Sequence, residues 1–183
     1  MKQAGITQGD RVYFPDEMRL GLRGTLRRVL APRGVKVVQK VQLVYEWTYL
    51  LLAVDPLRGQ IRWSWIERMN TEHLLPVLRQ WKLPCVVWDG APAHQAQALS
   101  ELEMGRIRQP AYSPELNPAE RVFEEVRRAV EGEVYPSLEA KQQAAEVYLR
   151  ALEADPERVR QLCGWEWLCT ALDALPPAPD PSS

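Results

Sequence analysis

The sequence has little of several features that commonly identify a protein's function. Lysine and arginine number 23 and acidic residues number 24, which leaves a net charge of −1. A dedicated DNA-binding module usually carries a large basic excess, so this balance argues against one, although an enzyme acting on nucleic acid needs only a local basic surface. No stretch approaches the ~18 to 20 consecutive apolar residues of a membrane helix, and residues 1–10 lack the apolar run of a signal peptide. We therefore expect no membrane partner.

Cysteine and histidine are also scarce. The three cysteines, Cys85, Cys163 and Cys169, form no Cys-x-x-Cys pair, and we interpret them as reduced, buried side chains of a cytoplasmic protein. The two histidines, His73 and His94, are too few for a histidine-rich metal site. A metal would therefore need carboxylate ligands, which favour Mg2+ or Mn2+ over Zn2+.

What the sequence does have is the composition of one folded domain. It contains 183 residues, of which 46% are apolar and 26% are charged, the ordinary globular mixture. A chain of this length buries enough surface to be stable without disulfides or a structural metal. We expect one domain over residues 1–175, followed by a proline-rich, disordered tail at 176–183.

The first half of the sequence predicts strands. β-Branched and alternating apolar residues favour strands at 11–14, 35–41, 47–54 and 60–66. The last two are joined by Asp-Pro-Leu-Arg-Gly at 55–59, a turn by its chemistry. Ile61, Trp63 and Trp65 then alternate with polar residues, as in a strand with one buried face. Together these features predict a β-hairpin.

The second half predicts helices that alternate with short strands. Periodicity and capping residues indicate helices at about 70–81, 93–103, 117–131, 137–154 and 157–175, with strands at 83–88 and 106–109. Elements in this order indicate a mixed α/β layer fold rather than a helical bundle or a β-sandwich.

Three carboxylates lie where they could act together. Asp16 and Asp89 each follow an apolar strand, and ligands of α/β proteins bind beyond strand ends. Two carboxylates held close together repel each other unless a cation neutralises them, so neighbouring strands would create a metal site. Glu120 lies in the first turn of a helix, a rigid platform for a third ligand. Each also has a structural alternative: Asp16 and Asp89 suit turns, and Glu120 suits a capping box with Asn117 as the cap.

Two longer strings of residues resemble a known family. Segment 86–94 reads Val-Val-Trp-Asp-Gly-Ala-Pro-Ala-His, and segment 110–120 reads Pro-Ala-Tyr-Ser-Pro-Glu-Leu-Asn-Pro-Ala-Glu. With Phe-Pro-Asp-Glu at 14–17, they resemble the signature of DDE transposases, in the bacterial insertion-sequence branch of the mariner superfamily. The resemblance covers about residues 10–135. It implies an RNase H-like fold, a central mixed sheet flanked by helices, with additional C-terminal helices.

The resemblance also implies a site and a reaction. By position, Asp16, Asp89 and Glu120 match the three carboxylates that hold two Mg2+ (or Mn2+) ions in that family. The implied activity is hydrolytic nicking of DNA at transposon ends, followed by strand transfer into target DNA. Two positions depart from the family pattern, because Gly90 stands where Asn is common and Phe123 where Trp is common.

DNA is therefore the expected partner, at both transposon ends and target. Candidate DNA contacts are Arg19, Arg23, Lys36, His94, Asn117 and Arg127. The basic members of this set have an alternative as solvated surface residues with intrahelical ion pairs. The family's helix-turn-helix region has no room before Asp16. We therefore expect recognition of transposon ends to come from a separate helix-turn-helix chain, or to be lost.

Two other functions stay open on the sequence. The chain could be an inactive transposase remnant that keeps the fold and dimerises through its C-terminal helices. It could also be an RNase H-type nuclease acting on RNA–DNA hybrids, against which the Ser-Pro-Glu-Leu-Asn-Pro loop at 113–118 counts. For an active transposase, we expect bacterial cytoplasm and association with the nucleoid.

Overall fold

Extended and helical segments alternate along the chain. A computed structural model describes residues 7, 9–24, 30–38, 42–90, 97–110 and 113–175. Its strands are β1 (Val12–Gly21), β2 (Trp47–Asp55), β3 (Gln60–Ile66), β4 (Cys85–Trp88) and β5 (Gly105–Arg108). Its α-helices are α1 (Thr71–Trp81), α2 (Ala119–Val130), α3 (Leu138–Glu153), α4 (Pro156–Cys163) and α5 (Glu166–Asp173). Short 3-10 helices occupy Gln97–Glu101 and Pro114–Leu116.

The strands form one mixed sheet in the order β3-β2-β1-β4-β5. Neighbours β1, β2 and β3 pair in antiparallel fashion, whereas β4 pairs in parallel with both β1 and β5. The predicted hairpin is confirmed, because β2 and β3 are consecutive and pair from Tyr49 with Ile66 to Asp55 with Gln60. Parallel strands need a crossover, which α1 provides between β3 and β4. The predicted mixed α/β fold is confirmed.

Helices cover both faces of this sheet, so the central strands are apolar on both sides. On β2, Leu50, Leu52 and Val54 pack beneath α2, α3 and α4, while Leu51 and Ala53 point to the opposite face and pack beneath α1. Side chains alternate between faces along a strand, so the unbroken apolar run of β2 supplies both cores. The helix-rich side, covered by α2 to α5, is called the helical face below.

The first strand is longer than the sequence predicts. We expected a strand at 11–14 that stops at Pro15, but β1 continues to Gly21 and pairs with β2 residue by residue. The ladder to β4 is formed at Val12 and Tyr13, so the proline's missing N–H falls after that ladder. As a result, Asp16 lies inside a strand and does not occupy a turn after it.

Other elements differ from prediction in their extent. Residues 35–38 are exposed and form no strand, which corrects the predicted strand at 35–41 as far as the described residues reach. The predicted helix at 157–175 is two helices, α4 and α5, which separate at Gly164. A Cβ at Gly164 would lie 2.6 Å from the Arg160 carbonyl oxygen, so the backbones approach here as only glycine allows. Of the predicted helix at 93–103, the described part is the 3-10 helix Gln97–Glu101.

The cysteines behave largely as predicted. Cys85 and Cys163 are buried and free, while Cys169 is half-buried and also free. Burial raises the pKa of the Cys85 thiol to about 11 and that of Cys163 to about 12, so both stay protonated and inert. Within the described part of the chain, no helix combines the length and apolar character needed to cross a membrane. The predicted tail at 176–183 lies outside the described residues.

Candidate active site

Asp16 is a polar interruption in an otherwise apolar strand face. By alternation it shares the helical face of β1 with Val12 and Phe14 before it and with Met18 and Leu20 after it. The first pair packs with α5, and the second pair packs with α2. Asp16 therefore lies between two apolar clusters, in a place where an aliphatic side chain would be expected for packing alone.

The surroundings of Asp16 disfavour its charge. Burial raises the pKa of its carboxyl from 3.8 to about 7, and the negative charges of Glu17, Glu120 and Asp89 act in the same direction. The backbone N–H of Glu17 donates to Oδ1 at 2.8 Å and opposes the shift. The amide of Asn117 donates to Oδ2 at 3.0 Å. A half-buried carboxylate in the field of other acidic groups is an arrangement that a cation would relieve.

The strand pairing brings Asp89 to the same place. Both recorded pairs of the parallel ladder, Val12 with Cys85 and Tyr13 with Val86, differ by 73 positions, and the same offset carries Asp16 to Asp89. Adjacent strands lie about 4.8 Å apart, so the two aspartates extend from neighbouring strands at one level. The condition stated from the sequence, that the strands of Asp16 and Asp89 be neighbours, is thus met by β1 and β4. Asp89 itself follows the last residue of β4.

Glu120 reaches the site from the first turn of α2. Its side chain is 38% exposed, and its Oε2 lies 3.9 Å from Nη1 of Arg127. The predicted capping box is only half present. The side-chain oxygen of Asn117 does accept from the Ala119 N–H, at 3.0 Å, but the N–H of Asn117 donates to the carbonyl of Pro114. The Glu120 side chain thus lies near Arg127 and acts electrostatically on Asp16, and the N–H of Asn117 has a different partner.

Asp16, Asp89 and Glu120 are ligands of the kind that a hard divalent cation binds, but they do not lie close together as a ready site. Three carboxylates supply the oxygen ligands that Mg2+ and Mn2+ prefer. Among the residues that the structure describes, however, no three acidic, histidine or cysteine side chains lie close enough to hold an ion as they stand.

A basic residue missed in the sequence lies next to Asp89. A Cβ built on Gly90 would be 2.6 Å from Nη2 of Arg108, so the guanidinium of Arg108 lies directly against the Gly90 backbone. Arg108 is exposed at the end of β5, paired with Trp88. The sequence does place Arg108 in the predicted strand at 106–109. Only the sheet order shows that this strand lies next to β4 and therefore near Asp89.

The predicted DNA contacts fall in different places. Arg19 is exposed on β1, its guanidinium 4.5 Å from the ring centre of Trp47, and Arg23 lies 5.1 Å from the ring of Tyr45. Both rings are exposed, so these pairs form a basic and aromatic surface beyond the site. Lys36 is exposed in the connection between β1 and β2.

The other three candidates divide further. Arg127 lies beside Glu120 on α2, next to the predicted carboxylates. Asn117 is buried, with 4% of its surface exposed, and its amide points inward to Asp16 instead of outward to solvent. Its contact with DNA stays a prediction, and the partners seen here are within the protein. His94 lies outside the described residues.

The chain is similar in sequence and in fold to known proteins. A family model described as DDE superfamily endonuclease matches residues 11–140. The structure of a Mos1 transposase paired-end complex with left transposon end superimposes with a TM-score of 0.63 at 18% identity, over 89% of this chain and 53% of that chain. A mariner Mos1 paired-end complex with Mg gives 0.62 at 16%, over 87% and 55%. A third, with Mn, gives 0.60 at 15%, over 87% and 55%.

These likenesses establish the fold. The sheet order and its helices are those of the RNase H-like catalytic domains of these structures, which confirms the fold expected from the sequence. The chain spans about half the length of the Mos1 chains it matches. Among curated proteins, no sequence matches this chain.

Proposed function

Because the chain belongs to the DDE superfamily endonucleases, we propose that it cuts DNA strands and joins them to target DNA during transposition of a bacterial insertion sequence. The observation that carries the proposal is the half-buried carboxyl of Asp16, whose pKa is raised by desolvation and by the charges of Glu17, Glu120 and Asp89. The charges of Asp89, at the end of β4, and of Glu120, at the start of α2, both act on Asp16 of β1. A titratable group perturbed by burial and by neighbouring charges is typical of a functional site.

In this proposal Asp16, Asp89 and Glu120 hold two Mg2+ or Mn2+ ions. When bound, such ions activate a water or a 3'-hydroxyl and stabilise the leaving oxygen. The chain's own residues bind and orient. Asp16 must lose its proton before it can act as a ligand, and its raised pKa of about 7 allows this near neutral pH. Repulsion among the three carboxylates keeps the site poised for a cation.

Basic side chains around the carboxylates would hold the DNA backbone. Arg108, which lies against Gly90, and Arg127, which lies beside Glu120, are the nearest of these to the carboxylates. Arg19, on the other face of β1, and Arg23, just after β1, offer basic surface further away. Phosphate contacts of this kind position a strand without reading its sequence. We propose that recognition of transposon ends comes from a separate helix-turn-helix chain, that the active form is a homodimer, and that it acts in the cytoplasm at the nucleoid.

A second candidate function is an inactive remnant that keeps only the fold. One observation favours it: in the described residues, no three potential ligands form a ready metal cluster. Gly90, in place of the Asn common in the family, leaves the residue after Asp89 without a side chain. Under this alternative the carboxylates would neither bind Mn2+ nor support cleavage.

A nicking assay separates the two functions. The full chain is incubated with supercoiled plasmid and Mg2+ or Mn2+, and the appearance of open-circular DNA is measured. We expect nicking by the wild type that Asp89→Asn lowers by about 1000-fold or more, since the positioned charge is lost. Glu103→Gln is the matched control, because Glu103 is exposed before the opposite end of β5, and it should keep the wild-type rate. Equal nicking by the wild type and Asp89→Asn would overturn the proposal.

A further inference from the structure

Asn117 lies between two of the three carboxylates without being one of them. It follows the 3-10 helix Pro114–Leu116 and precedes α2, and only 4% of its surface is exposed. A buried amide must have its hydrogen-bonding atoms satisfied, so the partners of Asn117 define what holds it in place.

Each end of the Asn117 amide is bound to a different element. Its Nδ2 donates to the carbonyl of Pro15 at 3.2 Å and to Oδ2 of Asp16 at 3.0 Å, both on β1. Its Oδ1 accepts from the N–H of Ala119, the first residue of α2, at 3.0 Å. The Ala119 donor requires an oxygen, so the NH2 group must be the end that faces β1.

The backbone of Asn117 extends the same link to Glu120. Its carbonyl accepts from the Glu120 N–H at 3.2 Å. A single residue therefore holds the Asp16 carboxylate with its side chain and the start of the Glu120 helix with its side chain and its main chain. The Asp16–Asn117 bond joins residues 101 positions apart, so no local geometry could provide it.

We propose that Asn117 is a positioning residue that fixes the Asp16 carboxylate relative to Glu120, so that these two ligands are oriented before a cation arrives. This inference rests on the proposed function. A neutral amide suits the task because it donates to one carboxylate oxygen without cancelling the negative charge that the cation needs. A lysine or arginine there would neutralise the site.

Residues that hydrogen-bond to metal ligands and orient them typically lower metal affinity by roughly 10- to 100-fold when they are removed. Asn117→Ser is the informative variant. Serine is neutral and retains an oxygen that can cap the Ala119 N–H, but it is too short to reach Asp16. It thus keeps the helix start and removes the link. Val126→Ala, buried on the same helix and absent from the hydrogen bonds around Asp16, controls for a general loss of stability.

Two measurements on the full chain test the inference. In calorimetric titration with Mn2+, Val126→Ala should bind with wild-type affinity and Asp16→Asn should not bind. Asn117→Ser should bind with an affinity lowered by roughly 10-fold or more. Without metal, NMR should show faster hydrogen exchange of the Glu17 N–H in Asn117→Ser than in the wild type. That N–H donates to the other oxygen of Asp16, so it reports whether the carboxylate is still held.

The outcomes separate this inference from the proposed function. Wild-type Mn2+ affinity in Asn117→Ser, or unchanged exchange of the Glu17 N–H, overturns the positioning role. If the wild type binds Mn2+ no better than Asp16→Asn, the proposed function fails. Faster Glu17 exchange in Asn117→Ser would then still support Asn117 as the group that orients Asp16.

Discussion

The two halves of the candidate site are built in different ways. The β1–α2 half is buried, with Asp16 bound by the Asn117 amide and α2 held to the sheet by Phe123, which is 1% exposed. In the β4–β5 half, Val86 and Trp88 of β4 are buried, but β5 is the edge strand, and its side chains Arg106, Ile107 and Arg108 are exposed. One half is fixed by packing and side-chain bonds, and the other ends in an open edge strand.

This difference indicates a division of tasks. A ligand set needs at least some of its members held rigidly, since each side chain that must be ordered on binding lowers the affinity. DNA, in contrast, needs an accessible surface with positive charge, which an exposed edge strand can present. We therefore expect substitutions in the β1–α2 half to change stability and metal binding, and substitutions in the β4–β5 half to change DNA binding.

The largest expected effect is on the anchor of the buried half. Phe123→Ala removes a fully buried ring from the cluster beneath α2, α3 and α4 and should lower the free energy of unfolding by about 3 to 5 kcal/mol. Ile107→Ala on β5, where the side chain is 37% exposed, should cost less than about 1 kcal/mol. Urea unfolding followed by circular dichroism measures both. Similar losses in the two variants would contradict the comparison.

The next effect concerns pH and belongs to Asp16 alone. Burial raises the pKa of its carboxyl to about 7 in the folded protein, whereas in the unfolded chain it ionises near 3.8. Between these values the unfolded state binds fewer protons, so the free energy of unfolding falls as the pH rises and levels off above pH 7. From pH 5 to pH 8 the fall attributable to Asp16 is about 2 to 3 kcal/mol.

Two variants test that assignment without metal, in the presence of a chelator. Asp16→Asn should flatten the decline between pH 5 and pH 8, because the titrating group is gone. Asp89→Asn should keep most of it, since the charge of Asp89 is the smallest of the causes that raise the Asp16 pKa. Thermal melts across the pH range give the slopes. A wild-type decline that survives in Asp16→Asn would assign it to other groups.

Some features of the fold and of the β1–α2 half could be predicted from the sequence, and others could not. The hairpin follows from local pattern, because turn chemistry and alternation are local properties. The pairing of β1 with β4, which brings Asp16 and Asp89 to adjacent strands, joins residues 73 positions apart and does not. The length of β1 does not, because pairing with β2 overrides the proline that predicts a stop. Asn117 was assigned a cap and a DNA contact. Its bond to Asp16 spans 101 positions and depends on the tertiary fold.

The open half is less predictable still. Gly90 is visible in the sequence as a departure from the family pattern, but what occupies the freed space is not. The structure places the guanidinium of Arg108 there, from a strand that adjoins β4 only in the folded sheet. A long flexible side chain on an edge strand carries no periodic signal of its role.

The smallest expected effect tests whether Arg108 serves DNA. Arg108→Gln should weaken binding to duplex DNA by several-fold and lower the slope of log affinity against log salt by about 1, as for one lost phosphate contact. Arg79→Gln is the matched control, because Arg79 is an exposed arginine on α1 that is already paired with Glu101. Fluorescence anisotropy at several salt concentrations measures both.

A substitution at Gly90 tests whether Arg108 contacts DNA from its position against the Gly90 backbone. Gly90→Asn places a Cβ within 2.6 Å of Nη2 of Arg108, so the flexible guanidinium must move away while the backbone stays. If Arg108 binds phosphate from its place beside Asp89, Gly90→Asn should weaken DNA binding about as much as Arg108→Gln. The double variant should then lose no more than either single variant, because both changes remove one contact. Additive losses would mean that the arginine reaches DNA from elsewhere, and that the open half does not depend on the missing side chain at position 90.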